Sequence, residues 1–337
     1  MTPAFLELVD LASARLGASV VAANDEFFAP KENLIRGDPP RWREGEYTER
    51  GKWMDGWETR RRRDVGDDWC LIRLGAPGIA RGVDVETTHF RGNYPEAFAL
   101  EVCDLPGEAS LDEVARAEFA EVLARTALAG DTHNFFAVER ACRATYVRLR
   151  IFPDGGVARL RVFGDVLPDW TRLRRRGDVD LAAAEHGGMV VACSDMFFGS
   201  RHNLILPGDA LSMGDGWETK RRRGPGHDWT IVKLGAAGDI RRIEVDTRHF
   251  KGNAPGTCSL EALAAKGLTD GITDGITSVD LAGAADWREL LPRVALRPDA
   301  QQTFEDEVRA IGAVTHVRLN IFPDGGVGRL RLFGRPQ

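Results

Sequence analysis

RLRIFPDGGVARLRVFG, residues 148–164, is the stretch whose reading decides the fold. Two runs of alternating apolar and arginine residues flank Pro153, Asp154, Gly155 and Gly156. Proline presets φ for a turn, aspartate bonds back to nearby backbone, and glycine accepts φ > 0. The pattern therefore predicts two strands joined as a hairpin. Side chains alternate between the faces of a strand. Leu149, Ile151, Leu160 and Val162 form the apolar face, and Arg148, Arg150, Arg159 and Arg161 face the other way. Arginines crowded on one face repel each other, so an acidic group from another strand, another subunit or a ligand is expected beside them.

The stretch is written twice. RLNIFPDGGVGRLRLFG at 318–334 matches it at 14 of 17 positions, with Asn320 in place of Arg150. The duplication extends over nearly the whole chain. VDLASARLGASVVAANDEFFAPKENLI (9–35) corresponds to VDLAAAEHGGMVVACSDMFFGSRHNLI (179–205), DGWETRRRR (55–63) to DGWETKRRR (215–223), and VDVETTHFRGNYP (83–95) to IEVDTRHFKGNAP (243–255). The offset between copies shifts from 170 to 160 and back to 170, which locates two length differences. The first copy carries ten extra residues between Asn33 and Asp55, containing GDPPRWREGEY; the second regains the length around TDGITDGITS. Both segments are polar and rich in Gly or Pro, so both are expected to be surface loops. A unit of about 155 residues is far longer than a solenoid repeat. The chain thus reads as two domains, 1–168 and 177–337, joined by a charged linker at 169–176.

Within each copy, DWCLIRLG (68–75), HDWTIVKLG (227–235) and GVDVETTHF (82–90) read as strands, the first two ending at glycine. In the last, Val83, Val85 and Thr87 share a face with His89, opposite Asp84, Glu86 and Thr88. Helical signal is thin. SLDEVARAEFAEVLARTAL (110–128) opens with a capping box, Ser110 and Glu113, and predicts one helix; WRELL (287–291) is its shorter counterpart. Many short strands with no βαβ rhythm predict an all-β architecture, an antiparallel sandwich or jelly roll per repeat, with short helices in connections.

Composition narrows the class. With 43% hydrophobic and 28% charged residues the chain has the balance of a soluble globular protein. A net charge of −6 gives no support for a nucleic-acid or membrane-surface role, so any anion site must come from local arginines. Five cysteines, scattered and without a CxxC pair, argue against a disulfide framework and a cysteine-rich zinc site. The N-terminus lacks a signal-peptide core, and no run approaches the ~18 apolar residues of a membrane span. A cytoplasmic location is expected.

GxGxxG after a strand, P-loop, HExxH and GxSxG signatures are all missing. Candidates come instead from polar residues present in both copies. If DGWETRRRR is extended, Trp57, Thr59, Arg61 and Arg63 share one face, and Glu58 lies with Arg60 and Arg62 on the other. The structural reading is an ion-paired surface strand; the functional reading is bidentate capture of a carboxylate, which lysine reproduces poorly. Lys220 in place of Arg60 favours Arg61, Arg62 and Arg63, with Arg221, Arg222 and Arg223 in the second copy. The next motif supplies Glu86, His89 and Asn93, then Asp246, His249 and Asn253. His89 and His249 are either hydrogen-bonded core residues or proton-transfer groups, and the asparagines either take a turn before proline or bind a ligand. One histidine and one carboxylate per copy are too few ligands for a metal site. Asp154 and Asp324 read as turn formers.

DGWETRRRR…DDWCLIRLG, VETTHFRGN-P and IFPDGGVARLRVFG, each present twice in the same tandem order, resemble the allantoicase (allantoate amidinohydrolase) family over essentially the whole chain. The resemblance implies two tandem jelly-roll domains of the galactose-binding-like type, a homo-oligomer, and hydrolysis of allantoate to ureidoglycolate and urea in purine breakdown. No cofactor is implied, and divalent-metal assistance stays open. Side-chain chemistry then assigns proton transfer to Glu58 or Glu86 with His89, and to Glu218 or Asp246 with His249. It assigns substrate binding to Arg61, Arg62, Asn93 and Arg148, and to Arg221, Arg222, Asn253 and Arg318. A non-catalytic carbohydrate- or carboxylate-binding module, and an oligomer whose arginines make subunit contacts, are the alternatives.

Overall fold

The computed structural model describes residues 3–105, 107, 109–265, 281, 283 and 286–337. The chain divides into two compact units, Met1–Leu167 and Pro168–Gln337. Each is built on one eight-stranded antiparallel sheet. In the first unit the order is Val9–Asp10, Arg159–Val166, Asp68–Glu86, Arg143–Phe152, Ala97–Cys103, Ala120–Ala127, with Ser19–Ala23 and Phe135–Ala137 also paired to the 19-residue strand Asp68–Glu86. That strand serves both layers of a sandwich. Residues 68–73 pair with Arg143–Phe152 and Ser19–Ala23. Residues 78–86 pair with Arg159–Val166, and Phe135–Ala137 joins the same half. Cys70, Ile72, Phe98, Leu100, Leu149 and Ile151 from one layer meet Val83, Val85, Leu160 and Val162 from the other, all fully buried. Fully burying an aliphatic or aromatic side chain of this size contributes about 1.5–3 kcal/mol. The second unit repeats the plan around the 19-residue strand Asp228–Asp246.

The expected hairpin is an arch. Arg143–Phe152 and Arg159–Val166 do not pair with each other; they flank opposite halves of the long strand, in different layers. Ile151 lies beside Asp68 and Arg159 beside Glu86, so both ends of the long strand sit at the same end of the sandwich, beneath the PDGG turn. The turn is instead paired to DGWET: Gly156 and Val157 bond to Glu58 and Trp57. The two sequence segments taken as separate strands, 68–75 and 82–90, are therefore largely one strand. Gly75 does not end it. A Cβ there would stand 2.7 Å from the Leu16 carbonyl oxygen, so glycine marks a close backbone approach at the bend.

Arg159, expected to face outward, is fully buried. Its Nε donates to the Asp38 carbonyl (3.0 Å), its Nη1 to the carbonyls of Asp55 (3.0 Å) and Ala158 (2.7 Å), and its Nη2 lies 3.1 Å from the buried Asp55 carboxylate. Arg329 does the same in the second unit, with Gly208, Asp215 and Gly328 carbonyls and the Asp215 carboxylate at 3.0 Å. Beside this latch, the Phe90 ring lies between Gly56 and Gly156, where added Cβ atoms would stand 2.7 and 1.9 Å from ring carbons. Phe250 is wedged between Gly216 and Gly326 in the same way.

The predicted 110–128 helix is only half a helix. The capping box forms and starts Leu111–Arg116, but Ala120–Ala127 is an edge strand paired with Ala97–Cys103. WRELL likewise lies in a strand, Arg288–Ala295, on the corresponding edge. In both places the unpaired backbone of the sheet edge overrides local helix propensity. The extra loop of the first copy is exposed and contains a small ladder, Tyr47–Thr48 against Gly51–Lys52. TDGITDGITS lies outside the described residues. Within the stretch expected to be a linker, Trp170–Arg174 forms one helical turn capped by Asp169.

Removing one partner of a buried ion pair strands the other charge. Arg159→Met is therefore expected to lower unfolding free energy by about 3–5 kcal/mol in urea titration; a loss below about 1 kcal/mol would mean the latch is dispensable.

Candidate active site

The arch end gathers the motif residues of each unit. Trp57 is fully buried and its indole N–H donates to the Asp25 carbonyl at 2.8 Å, which fixes the strand Trp57–Glu58. Asp154 is more than a turn former: its carboxylate accepts the backbone N–H of Arg62 at 2.8 Å. Asp324 accepts from Arg222 at the same distance. Thr59 and Gly155 also exchange hydrogen bonds. The PDGG arch thus holds the arginine segment by its backbone.

This separates the four arginines. Arg60 pairs with Asp25 at 2.6 Å, and Lys220 with Asp195 at 3.3 Å, which explains why lysine serves at that position. Arg62 pairs with Asp68 (3.1 Å) and Asp64 (3.3 Å), and Arg222 with Asp228. Glu58 was expected beside Arg60 and Arg62, but it bonds to neither. Arg61, Arg63, Arg221 and Arg223 are exposed and carry no side-chain partner among the described residues.

Glu58 faces Asn93, whose amide donates to it at 2.7 Å; Asn253 donates to Glu218 at 2.6 Å. The main chain completes the link, because Gly156 N–H donates to the Asn93 carbonyl at 2.7 Å. Burial pushes the Glu58 carboxyl above its ordinary range, and the Asn93 hydrogen bond only partly opposes this. A half-buried carboxyl oriented by an amide, beside unpaired guanidinium groups on the same segment, can hold a proton and meet an anion.

His89 does not lie on the strand face. The strand ends at Glu86, and His89 takes a left-handed conformation, φ 72°; His249 has φ 73°. Such backbone is costly for a residue with a Cβ. It is held in place by Asp131, which accepts the His89 N–H at 2.8 Å, as Asp299 does for His249. The Nε2 of each ring faces a carbonyl, Pro40 at 3.3 Å and Ala210 at 2.8 Å. A carbonyl only accepts, so Nε2 is the donor in each contact. The expected pairing of Glu86 with His89 is not what the structure has. Glu86 accepts from Thr88 at 2.8 Å and lies 3.7 Å from Nε2 of His133, whose Nδ1 meets Asp84 at 2.7 Å. Asp246 is clamped by Arg248, with contacts of 2.6 to 3.0 Å. Reading for residues shared by both copies missed His133, because Gln301 stands in its place. Asp131 and Asp299 were missed because their flanking sequences, GDTHN and PDAQQ, share little.

Arg148 and Arg318 are engaged on the sheet face. Arg148 Nε donates to Glu101 at 2.6 Å and Arg318 Nε to Glu261 at 2.9 Å, each carboxylate coming from the neighbouring strand. The acidic group expected beside the arginines is thus supplied by another strand. Among the described residues, no cluster of three or more His, Cys, Asp or Glu is placed to hold a metal ion.

A carboxyl whose pKa is raised on folding makes the native state bind more protons than the unfolded one, so stability falls as pH rises from the ordinary glutamate range to the raised value. Glu58→Gln is expected to abolish that fall, its stability relative to wild type improving from about pH 4 to pH 7 in urea titrations; a pH-independent difference would overturn the assignment. At position 89 the backbone strain favours glycine. His89→Gly is expected to be more stable than His89→Ala by about 1 kcal/mol in thermal melts, and the opposite order would mean the left-handed turn is unstrained.

A family model described as the allantoicase repeat matches residues 9–167 and 179–337. A "Probable allantoicase" of Pseudomonas aeruginosa (strain LESB58) is 49% identical over 333 residues, 99% of this chain and 97% of the relative. "Probable allantoicase 1" of Burkholderia mallei (strain ATCC 23344) is 47% identical over 97% of this chain and 94% of its own length. The crystal structure of allantoicase from Saccharomyces cerevisiae superposes with a TM-score of 0.81 at 34% identity, covering 97% of this chain and 92% of the yeast chain. The chain belongs to the allantoicase family.

Proposed function

We propose that the protein is a cytoplasmic, homo-oligomeric hydrolase that cleaves allantoate to ureidoglycolate and urea, with the reaction at the arch end of its repeats. The observation that carries the site is the carboxyl–amide pair present twice, Asn93 to Glu58 at 2.7 Å and Asn253 to Glu218 at 2.6 Å, each three residues before an unpaired arginine. Allantoate is a small carboxylate bearing two ureido groups on one carbon. Arg61, or Arg221 in the second unit, takes its carboxylate bidentately. Asn93 holds the Glu58 carboxyl in one orientation. Protonated Glu58 delivers its proton to the departing ureido nitrogen as the C–N bond breaks. His89 accepts a proton at Nδ1 from the water that attacks the same carbon. The water oxygen forms the new C–OH bond; afterwards His89 releases its proton to solvent and Glu58 takes one up, which returns both groups to their starting state. Arg62 and Arg148, already facing Asp68 and Glu101, hold the loop and the strands rather than the substrate.

Urea release from allantoate, with glyoxylate formed after a second hydrolysis, measures the reaction. Glu58→Gln is expected to lower kcat by about 10²–10⁴, and Arg61→Ala to raise KM with less effect on kcat. Comparison of Glu58→Gln, Glu218→Gln and the double variant apportions the activity between repeats. No release above background, with or without added divalent metal, would falsify the hydrolase reading; unchanged KM with a lowered assembly state in Arg61→Ala would make that arginine a subunit contact.

A further inference from the structure

The two units differ at three neighbouring positions on the sheet face. In the first, Trp69, Arg150 and Ala99 stand in register across three adjacent strands. Arg150 reaches Asp67 through two hydrogen bonds of 2.8 Å and Glu101 through one of 3.1 Å, so an ion-paired guanidinium fills the position between them. In the second unit the same rung reads Trp229, Asn320 and Ser259, and His227 stands where the first has Asp67. Three changes at neighbouring positions, Asp to His, Arg to Asn and Ala to Ser, have removed the ion pair together.

What replaces it is a cavity of about 450 Å³ lined by His227, Trp229, Ser259, Glu261, Asn320 and Phe322 among others. Its polar groups form a connected chain. His227 Nε2 meets the Asn320 amide oxygen at 3.3 Å. The Asn320 nitrogen donates to Glu261 at 2.9 Å and to Ser259 Oγ at 3.4 Å. Asn320 is itself 5% exposed, so this polar chain is fixed by the fold rather than by solvent. Glu261 is neutralised by Arg318 at 2.6 Å, and Glu289 at the rim by Arg309 at 2.6 Å. A concave space of this size, with convergent polar groups between aromatic walls, has the make-up of a small-molecule site.

We propose that this cavity is a second ligand site, peculiar to the C-terminal unit, for a small, flat, neutral molecule with adjacent N–H and C=O groups: a ureide or urea. Neutrality follows from the compensated charges of the lining groups, Glu261 with Arg318 and Glu289 with Arg309. Adjacent donors and acceptors follow from the mixed set on Ser259, Asn320, Glu261 and His227. Flatness follows from the Trp229 wall, since Phe322 is already packed against the His227 ring at 4.6 Å and the Arg293 guanidinium at 3.9 Å. In its ligand class the inference rests on the reaction proposed above, whose product is of that class, but its test does not depend on turnover.

Biuret, a neutral planar ureide, is the probe, followed by calorimetric titration and Trp fluorescence of the full chain. One saturable site per chain is expected. The double variant His227→Asp, Asn320→Arg rebuilds the ion pair of the first unit and is expected to weaken biuret binding at least tenfold while allantoate turnover is unchanged. The reciprocal variant Asp67→His, Arg150→Asn, Ala99→Ser is expected to raise the stoichiometry from one to two, and keeps the proposal testable if the first variant does not fold. Absence of saturable biuret binding overturns the proposal. So does equal binding by the ion-paired variant, or tighter binding of methyl glucoside than of biuret.

Discussion

Everything at the arch end of each unit depends on one buried guanidinium. Arg159 has no access to solvent, and removing such a group from water is costly unless its donors are met. Its partners come from segments far apart in sequence: the Asp38 and Asp55 carbonyls, the Asp55 carboxylate, and its own neighbour Ala158. The planar fork of arginine reaches these in several directions at once, which the point charge of lysine does not. The first residue of DGWET and an arginine 104 positions later are therefore one structural unit, and the loop that carries Glu58 is placed by it.

The same dependence recasts the repeated motifs. Asp55, Gly56, Trp57, Phe90, Gly156 and Arg159 owe their recurrence to interlocking: a latch, an aromatic wedge between two glycines, and an indole tied to the Asp25 carbonyl. Glu58, Arg61, His89 and Asn93, with their counterparts in the second unit, stand outside that interlock, and the proposed reaction draws on them. His89 is the sharpest of these, because its left-handed backbone is retained twice where glycine would be less strained.

Much of this was legible in the sequence, for reasons that can be named. The duplication, the all-β class and the two-layer plan follow from internal identity and period-2 alternation. The surface position of the extra loop follows from its composition. The arch was misread as a hairpin because PDGG satisfies the local chemistry of either connection; what decides between them is whether the two strands share a layer, and that is a long-range fact. Arg159 was placed outward because alternation assigns a face without saying whether the face is covered. The second half of the 110–128 helix failed where an open sheet edge recruited it. At the site, Glu58 and Asn93 were picked out from the sequence, but their mutual contact was not, since they are 35 residues apart. His133 was hidden because comparison of the copies discards whatever the copies do not share.

The backbone hydrogen bond from Arg62 to Asp154 has one more consequence. Because the arginine segment is held through its peptide groups, the identities of residues 61 and 63 are almost free of the demands of folding. The tandem chain thus carries two copies of a segment whose exposed side chains are free to change, each on its own backbone-held frame. A substitution at these positions in one repeat leaves the frame of both repeats standing, so the duplication supplies evolvability as well as mass.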